Sequence, residues 1–435
     1  MFFKLLKDAL KVKNVRNKIL FTIFIIFVFR VGTHVTVPGI NAEGLKQLSD
    51  LPFLNMLNLV SGNAMNSFSI FSMGVSPYIT ASIIVQLLQM DIYPKFVEWG
   101  KQGEVGSRKL NQATRYITLV LAFVQSIGIT ASFNTLSSIS LVKTPDVSTF
   151  LLIGTILTAG SIIVTWLGEQ ITDKGFGNGV SMIIFSGIIA SIPKMFSTIY
   201  EDFFVNVRSG ELTRSYIIVA LLIVVGLAIV FFTTFVQQAE YQIPIQYTKL
   251  VQGAPTSSYL PLKVNPAGVI PVIFASSITT IPSTILPFFS KVTWLFTWLS
   301  HLQGLLSYNT PSGMIIYAIL IILFSFFYTF VQVNPEKTAE NLQKNGSYIP
   351  SVRPGRETEK YMSSLLKRLA TIGAVFLAFI SLAPIAAQQF MHLTSSIALG
   401  GTSLLILIST GIEGMKQLEG YLLKRQYVGF MNLED

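Results

Sequence analysis

Side chains that perform covalent chemistry are scarce in this sequence. It contains no cysteine, which excludes thiol nucleophiles, thiolate metal sites and disulfides. Its three histidines, His34, His301 and His392, are scattered along the chain and do not suggest a metal cluster. The glycine-rich stretch 175–179 lacks the lysine and hydroxyl that a phosphate-binding loop needs. The sequence therefore predicts a protein that is not an enzyme, needs no cofactor and does not itself bind nucleotide.

The composition indicates a membrane protein. Of the 435 residues, 51% are hydrophobic and only 12% are charged, and the mean hydropathy is +0.60. A soluble domain usually carries about 25% charged residues, so an ordinary soluble enzyme is excluded. A helix of about 20 apolar residues crosses the hydrocarbon core of a bilayer. Charge-free stretches and the turns between them predict ten such spans, at 19–37, 70–90, 116–134, 149–168, 178–196, 215–236, 267–288, 313–333, 367–387 and 396–415.

The ten spans divide into two sets of five around the polar segment 197–214. With an odd number of spans in each half, the second half must be inserted in the opposite sense, so any repeat is inverted in the membrane. The predicted fold is an all-α polytopic membrane protein with an N-terminal half at 1–200 and a C-terminal half at 201–435. Residue-level similarity between the halves is not apparent from the sequence alone.

The distribution of basic residues predicts the orientation. Of the 31 lysines and arginines, 24 lie in the termini and in the loops on their side of the membrane, and 6 lie in the loops of the other side. Basic residues favour the cytoplasmic side, so both termini are expected in the cytoplasm, with an uncleaved first helix. This bias also explains the net charge of +10 without nucleic-acid binding, and it leaves ribosomal RNA open as a partner.

The predicted spans contain almost no ionisable residues. Glu169 and Glu413 fall at helix ends, and Arg30, near the outer end of the first span, is expected to snorkel towards the membrane surface. Ion-coupled transporters usually keep such groups inside the bundle, so the sequence argues against that class.

Prolines recur in the spans instead. A proline inside a helix removes a backbone hydrogen bond and can kink it. Kinks at several spans would favour a bundle built to move, although each proline alone is compatible with simple packing. The five candidates are Pro77, Pro193, Pro271, Pro282 and Pro384.

The segment before the second span is unusually apolar for a loop. Residues 51–71 carry no charge, and small polar residues interrupt them at 61–67. Irregular backbone is tolerated at membrane depth where protein or water surrounds it, so residues 54–66 are predicted to form a short helix folded back into a cavity. The alternative is a helix lying on the membrane surface.

Stretches along the whole chain resemble the SecY family of protein-conducting channels. The strongest is 69–88, which is similar to that family's second-helix signature. Others follow in the family's order at 30–39, 103–109, 166–172, 175–179, 260–265, 268–271, 334–335, 353–355 and 400–405.

The resemblance implies two five-helix halves around a central pore that opens sideways between the second and seventh helices. It also implies a constriction ring of branched apolar side chains, which seals a pore by dewetting. Spacing by four places the ring residues of the second helix, and likewise those of the fifth, on one face. The matching ring residues are Val75, Ile79, Val180, Ile184, Ile273 and Ile406.

Two further sets follow from the resemblance. A plug segment that blocks the outer funnel matches Leu57, Asn58, Val60, Ser61, Gly62, Asn63, Ala64 and Met65. A polar cluster at the lateral gate matches Thr80, Gln125 and Asn265. Hydrogen bonds between such side chains are worth about 1 kcal/mol each in a membrane, which is enough to bias closure.

The resemblance also implies partners. These are SecE and SecG subunits, the SecA motor ATPase, the ribosome with its nascent chain, signal peptides and preproteins, and membrane lipids of the bacterial cytoplasmic membrane. The candidate partner-binding residues are Lys249, Arg353, Lys424 and Arg425. Leu250 and Ala254 stand where the family often has basic residues, so strong ribosome binding through that loop is in doubt. For the loop around Arg353, ordinary positive-inside charge is the alternative.

A passive channel driven by a partner is thus the expected function. A secondary transporter for a small or lipid-linked solute is the main alternative, favoured by the inverted topology and the prolines. A structural scaffold fits the composition but gives no reason for a concealed apolar segment.

Overall fold

The architecture was analysed on a computed structural model. It describes residues 9–41, 61–62, 64–89, 93–136, 142, 146–205, 212–247, 257–286, 293–307, 310–391 and 401–431. Statements below concern these residues.

Ten helices coincide with the ten predicted spans. They are α1 Lys13–Gly32, α2 Ser76–Leu88, α4 Glu104–Leu136, α5 Val147–Lys174, α6 Gly179–Tyr200, α7 Leu212–Gln238, α8 Ile270–Ile285, α10 Pro311–Gln332, α12 Arg356–Met391 and α13 Gly401–Met431. Three more helices occupy the connections: α3 Pro94–Lys101, α9 Thr293–Leu306 and α11 Pro335–Lys344. Within the described residues, six helices are long and apolar enough to cross a membrane by length and composition, namely α4, α5, α6, α7, α10 and α12.

The helices α2 and α8 are shorter than predicted, with 13 and 16 residues. Each is preceded by a glycine with positive φ, 51° at Gly74 and 64° at Gly268, a conformation that L side chains rarely adopt. Pro77 and Pro271 then stand in the first turn, where a missing N–H breaks no helical hydrogen bond. The kinks expected at these two prolines are therefore wrong, because both prolines begin helices.

The starts of α2 and α8 reveal a repeat that the sequence analysis missed. Residues 74–84 and 268–278 share the pattern Gly-Val-x-Pro-x-Ile-x-Ala-Ser-x-Ile, seven identities in eleven positions. Both glycines have positive φ, and each stretch belongs to the second span of its half. The two halves therefore share a local sequence and conformation at equivalent places, as an internal repeat requires.

The halves meet at two seams. On one side, α8 packs against α2 and α4, and on the other α13 packs against α6. One large hydrophobic core runs across both seams, with buried side chains from α1, α2, α5 and α6 of the first half and α8, α10, α12 and α13 of the second. Apolar contacts at both seams are therefore part of the core.

A small sheet joins two loops that the sequence treated separately. Strand β1 Glu240–Tyr247 pairs antiparallel with β2 Ser257–Lys263 and, at its end, with β3 Ser347–Tyr348. Apolar side chains of the sheet pack on the start of α12. This cluster contains Ile243, Leu262, Ile349, Met362, Leu366 and Leu369. The 6/7 and 8/9 loops thus form one folded unit.

Close packing of α5 and α6 gives a stability prediction. A β-carbon on Gly179 would collide with the carbonyl oxygen of Gly168, whereas one on Gly226 in α7 would meet nothing within 4 Å. Overpacking costs about 1–3 kcal/mol, and glycine to alanine in an open helix site gains about 0.5–1 kcal/mol. Gly179→Ala should lower the thermal unfolding midpoint of the purified protein, and Gly226→Ala should leave it equal or higher. Equal midpoints for both variants would contradict the packing described.

Candidate functional site

Six apolar side chains, on or directly next to four helices, belong to or pack against one large hydrophobic core. The most buried are Val75, which caps α2, and Ile184 in α6, with 0% and 3% exposure. All four buried members belong to one hydrophobic cluster, and the other two pack against it. These six are the predicted ring residues Val75, Ile79, Val180, Ile184, Ile273 and Ile406.

A cavity of about 390 Å³ opens beside this cluster. Four ring residues line it: Ile79, Val180, Ile184 and Ile273. Polar groups of α2, α4, α5 and the start of α6 form another part of the wall, namely Tyr78, Ser82, Gln86, Asn111, Arg115, Glu169, Thr172, Asp173, Asn178 and Ser181. Ile270 and Phe274 of α8 and Tyr328 of α10 complete it. The cavity wall thus combines polar side chains, most of them from the first half, with apolar side chains of α2, α6 and α8.

An ion pair fixes one wall of the cavity. The Arg115 guanidinium donates from Nε and Nη2 to the two carboxylate oxygens of Glu169, at 3.0 and 2.7 Å. This bidentate geometry ties α4 to α5 and orients both side chains. Glu169 lies near the end of its helix as predicted, but its partner, 54 residues away, was not identified from the sequence.

The described part of the predicted plug segment, which is called the plug segment below, folds into the protein. Ser61, Gly62, Ala64 and Met65 are buried, Ala64 and Met65 with 0% and 2% exposure. Ala64 and Met65 belong to a short 3₁₀ helix, Ala64–Ser67. The surface-helix alternative is therefore wrong for these residues. Leu57, Asn58, Val60 and Asn63 lie outside the described residues.

Backbone and hydroxyl hydrogen bonds hold this fold-back in place. The Ala64 carbonyl accepts from Ser69 N–H and from Ser72 Oγ, both at 3.1 Å. Ser67 Oγ donates to the Thr33 carbonyl at 2.9 Å, which links the segment to the end of α1. The hydroxyls of Ser67 and Ser72 thus satisfy backbone carbonyls that water would otherwise have to solvate.

Arg30 does not snorkel, contrary to the prediction. Its Nη1 donates to the carbonyl of Gly62 at 2.6 Å, and its Nη2 donates to the carbonyl of Ser186 in α6 at 3.4 Å. The side chain therefore points into the bundle and contacts the plug segment. A lone cation in an otherwise charge-free span was a sequence feature that could have indicated this role. The direction of the Arg30 side chain, however, depends on residues distant in sequence.

The predicted gate residues do not form one hydrogen-bonded cluster. Thr80 Oγ1 donates to the Ser76 carbonyl within α2 at 3.2 Å, and Gln125 is half-buried on α4. Asn265 is 2% exposed and donates from Nδ2 to the Gly268 carbonyl at 3.0 Å, so it shapes the turn before α8. Among the described residues, no hydrogen bond joins these three side chains to one another. Their helices do adjoin, because α8 packs against both α2 and α4.

Of the predicted partner-binding residues, Arg353 is described in full. It is exposed between β3 and α12, and its carbonyl accepts from Thr358 Oγ1 at 2.9 Å. The hydrogen bond orders the backbone and leaves the guanidinium in solvent. Lys424 and Arg425 belong to α13, although their side chains lie outside the described part, and Lys249 lies outside it altogether.

Comparison with known sequences gives consistent matches over nearly the full chain. Residues 69–415 match the SecY family. The protein translocase subunit SecY of Streptococcus sanguinis is 70% identical over 435 residues, covering all of both chains. That of Bacillus subtilis is 50% identical and covers 99% of both.

Solved structures agree on the fold. A protein-conducting channel superposes with a TM-score of 0.65 at 16% identity, covering 93% of this chain and 91% of that one. A SecY structure whose plug domain is described as stabilising the closed channel and maintaining a membrane seal gives a TM-score of 0.64 at 17% identity, with the same coverage. Sec61 in a canine ribosome-channel complex gives 0.58 at 15% identity and again the same coverage.

The cavity geometry predicts a pattern of chemical access. Because the chain has no cysteine, single-cysteine variants can be labelled cleanly. Val180→Cys and Ile273→Cys, which line the cavity and are half-buried, should react with a water-soluble maleimide applied from the side of the termini. Val75→Cys, at a fully buried position, should react much more slowly and serves as the matched control. Equal rates at all three positions would show that the cavity does not end at the ring.

Proposed function

This chain belongs to the SecY family of protein translocase channel subunits, and we propose that it forms the passive pore through which unfolded secretory proteins leave the cytoplasm. It is a multi-pass membrane protein and a channel, not an enzyme. The observation that carries the proposal is that six apolar side chains, drawn from both halves, share one hydrophobic core, and that four of them form an apolar wall of a cavity.

In the closed state, the six ring residues seal the pore. Water and ions leave a narrow apolar constriction, because it offers no hydrogen bonds to replace those of bulk water. A passing polypeptide displaces the branched side chains and fills the same gap. The plug segment reinforces this seal from the outer side.

Lateral release of hydrophobic segments takes place between α2 and α8. With 13 residues, α2 is about 20 Å long, shorter than the ~30 Å hydrocarbon core. Such a helix is best accommodated at a seam between protein elements, where α8 and α4 cover it. Thr80, Gln125 and Asn265 are proposed to bias this seam towards closure. The halves at 1–200 and 201–435 are proposed to separate there as two units.

The energy for transport comes from a partner. We place the protein in the bacterial cytoplasmic membrane with both termini inside, assembled with SecE and SecG subunits. The SecA motor or the ribosome is proposed to dock on the small sheet and the exposed Arg353, because β1–β3 unite the two loops that face the cytoplasm in the predicted orientation. Lys249, Lys424 and Arg425 are proposed to add to this surface. The likeness to a channel in a ribosome complex supports a ribosome contact.

Reconstitution tests the function directly. Proteoliposomes containing this chain with SecE, SecG, SecA and ATP should protect a signal-bearing precursor from external protease. Protection should require ATP and be lost when the signal sequence is removed. Absence of protection with folded protein and a working control channel would overturn the proposal, and saturable solute uptake driven by an ion gradient would point instead to the transporter.

The ring and plug assignments predict an ion leak. Ile406→Asn places a polar amide in an apolar seal, and deletion of residues 57–67 removes the reinforcement. Either change should raise the ion conductance of the resting channel in a planar bilayer above that of the wild type. Leu323→Asn, at an exposed position on α10, is the matched control and should not change conductance. If neither of the first two changes leaks, both assignments fail.

Charge reversal at Arg353 tests the docking surface. Arg353→Glu should reduce the rate of ATP-driven translocation about tenfold or more, the effect expected from losing one strong charged contact. It should leave resting conductance unchanged. Lys360→Glu makes the same charge change at an exposed residue that pairs with Glu357, and a smaller loss is expected there. Equal losses for the two variants would indicate a general charge effect and not a specific contact.

A further inference from the structure

The position of Arg30 has a consequence beyond the channel assignment. It lies near the outer end of α1 and is half-buried, with its guanidinium directed into the bundle. No ion pair joins it to a carboxylate within the part of the chain that the structure describes. Burying an unpaired cation is costly unless hydrogen bonds compensate, so its acceptors matter.

Both acceptors are backbone carbonyls on elements that adjoin the pore. The contact with Gly62 is short, at 2.6 Å, and charge-assisted, and it is made to the plug segment. The second contact, at 3.4 Å, is made to Ser186 of α6. One side chain therefore connects α1, the plug segment and α6. Ile184, a ring residue, lies two positions before Ser186.

The same place shows close backbone packing. Gly62 has φ 69°. A β-carbon at Gly187 would collide with Cα of Gly62, and one on Gly62 would come within 2.9 Å of the Phe29 ring. Glycines at both positions let the plug segment approach α6 closely enough for the Gly62 carbonyl to face the guanidinium. Gly187 on one side and the Phe29 ring on the other therefore leave room at position 62 for a glycine backbone.

We propose that Arg30 is a latch that holds the plug segment in its closed position. Its hydrogen bond to the Gly62 carbonyl retains the plug segment, and its hydrogen bond to the Ser186 carbonyl fixes the guanidinium to α6. The inference rests on the proposed function, because it presumes that residues 57–65 act as a plug. Displacing the plug requires breaking the short hydrogen bond to Gly62. The contact to Ser186 does not involve the plug, so the guanidinium retains an acceptor in the open state. The latch acts on the backbone carbonyl of residue 62. A substitution at this position therefore affects closure only through the space that the new side chain needs.

The test follows the plug directly. In the complex with its partner subunits, Ala64→Cys supplies one cysteine at a fully buried plug position. Combined with Arg30→Met, it should react with a membrane-impermeant maleimide from the outer side about tenfold faster or more, as expected from losing a charge-assisted hydrogen bond. Arg30→Lys, which keeps a charged donor, should restore much of the protection. Lys18→Gln is the matched control, since it removes a cation from the other end of α1, where Lys18 contacts Tyr421.

A second variant tests the latch in case Arg30→Met does not fold. Gly187→Ala leaves Arg30 intact but adds a β-carbon that collides with Gly62 and displaces the plug segment. It should therefore also increase labelling at position 64. Unchanged labelling in both Arg30→Met and Gly187→Ala overturns the latch. If deletion of 57–67 leaks while Arg30→Met neither leaks nor exposes position 64, the channel assignment stands and the latch fails. If Arg30→Met does not assemble, labelling in Gly187→Ala and recovery in Arg30→Lys decide the question.

Discussion

In the proposed function, a seal made only of apolar side chains is the constraint on which the rest of the structure depends. Such a seal gives no hydrogen bonds to a permeating ion and none to a permeating polypeptide, so it closes without binding what passes. It must also be assembled from both halves if it is to open. In this protein the contributing side chains come from α2, α6, α8 and α13, and the core that contains them crosses both seams. Local packing and closure of the pore are therefore the same set of contacts.

The helices α2 and α8, which meet at one seam, begin in the same way. Each begins after a glycine of positive φ and carries a proline in its first turn, and each starts inside the predicted span, α2 at Ser76 in place of residue 70 and α8 at Ile270 in place of residue 267. The shared pattern at 74–84 and 268–278 places Ile79 and Ile273 at equivalent positions, one from each half. An internal repeat thus supplies two ring residues facing one cavity. Both copies of the repeat have the glycine and the proline because these residues fix the backbone at the start of a helix. Burial alone would require only that the residues be apolar.

Polar groups inside the protein mainly serve backbone atoms. Ser69, Ser72 and Ser67 organise the fold-back, and Asn265 shapes the turn before α8. Arg30 belongs to the same class, although it carries a full charge. Because irregular backbone at membrane depth needs internal hydrogen-bond partners, this use of side chains is what allows a plug segment to exist there. The cost of burying the groups is offset by the backbone carbonyls and amides that they satisfy.

The sequence by itself determined the ten spans, because the hydropathy of a helix is a local property and each span could be read without its neighbours. It also determined the family, through motifs spread over the whole chain, and from the family it predicted six ring residues, which belong to or pack against one hydrophobic core. Only the tertiary structure decided where Arg30 points, which partner Glu169 has, and that the 6/7 and 8/9 loops form one sheet. Each of these depends on a contact between residues far apart in the chain, such as the 156 positions between Arg30 and Ser186. The starts of α2 and α8 differ from the predicted ones for another reason: hydropathy does not register φ, and a positive φ at Gly74 and Gly268 interrupts the helical backbone, so each helix begins after its glycine.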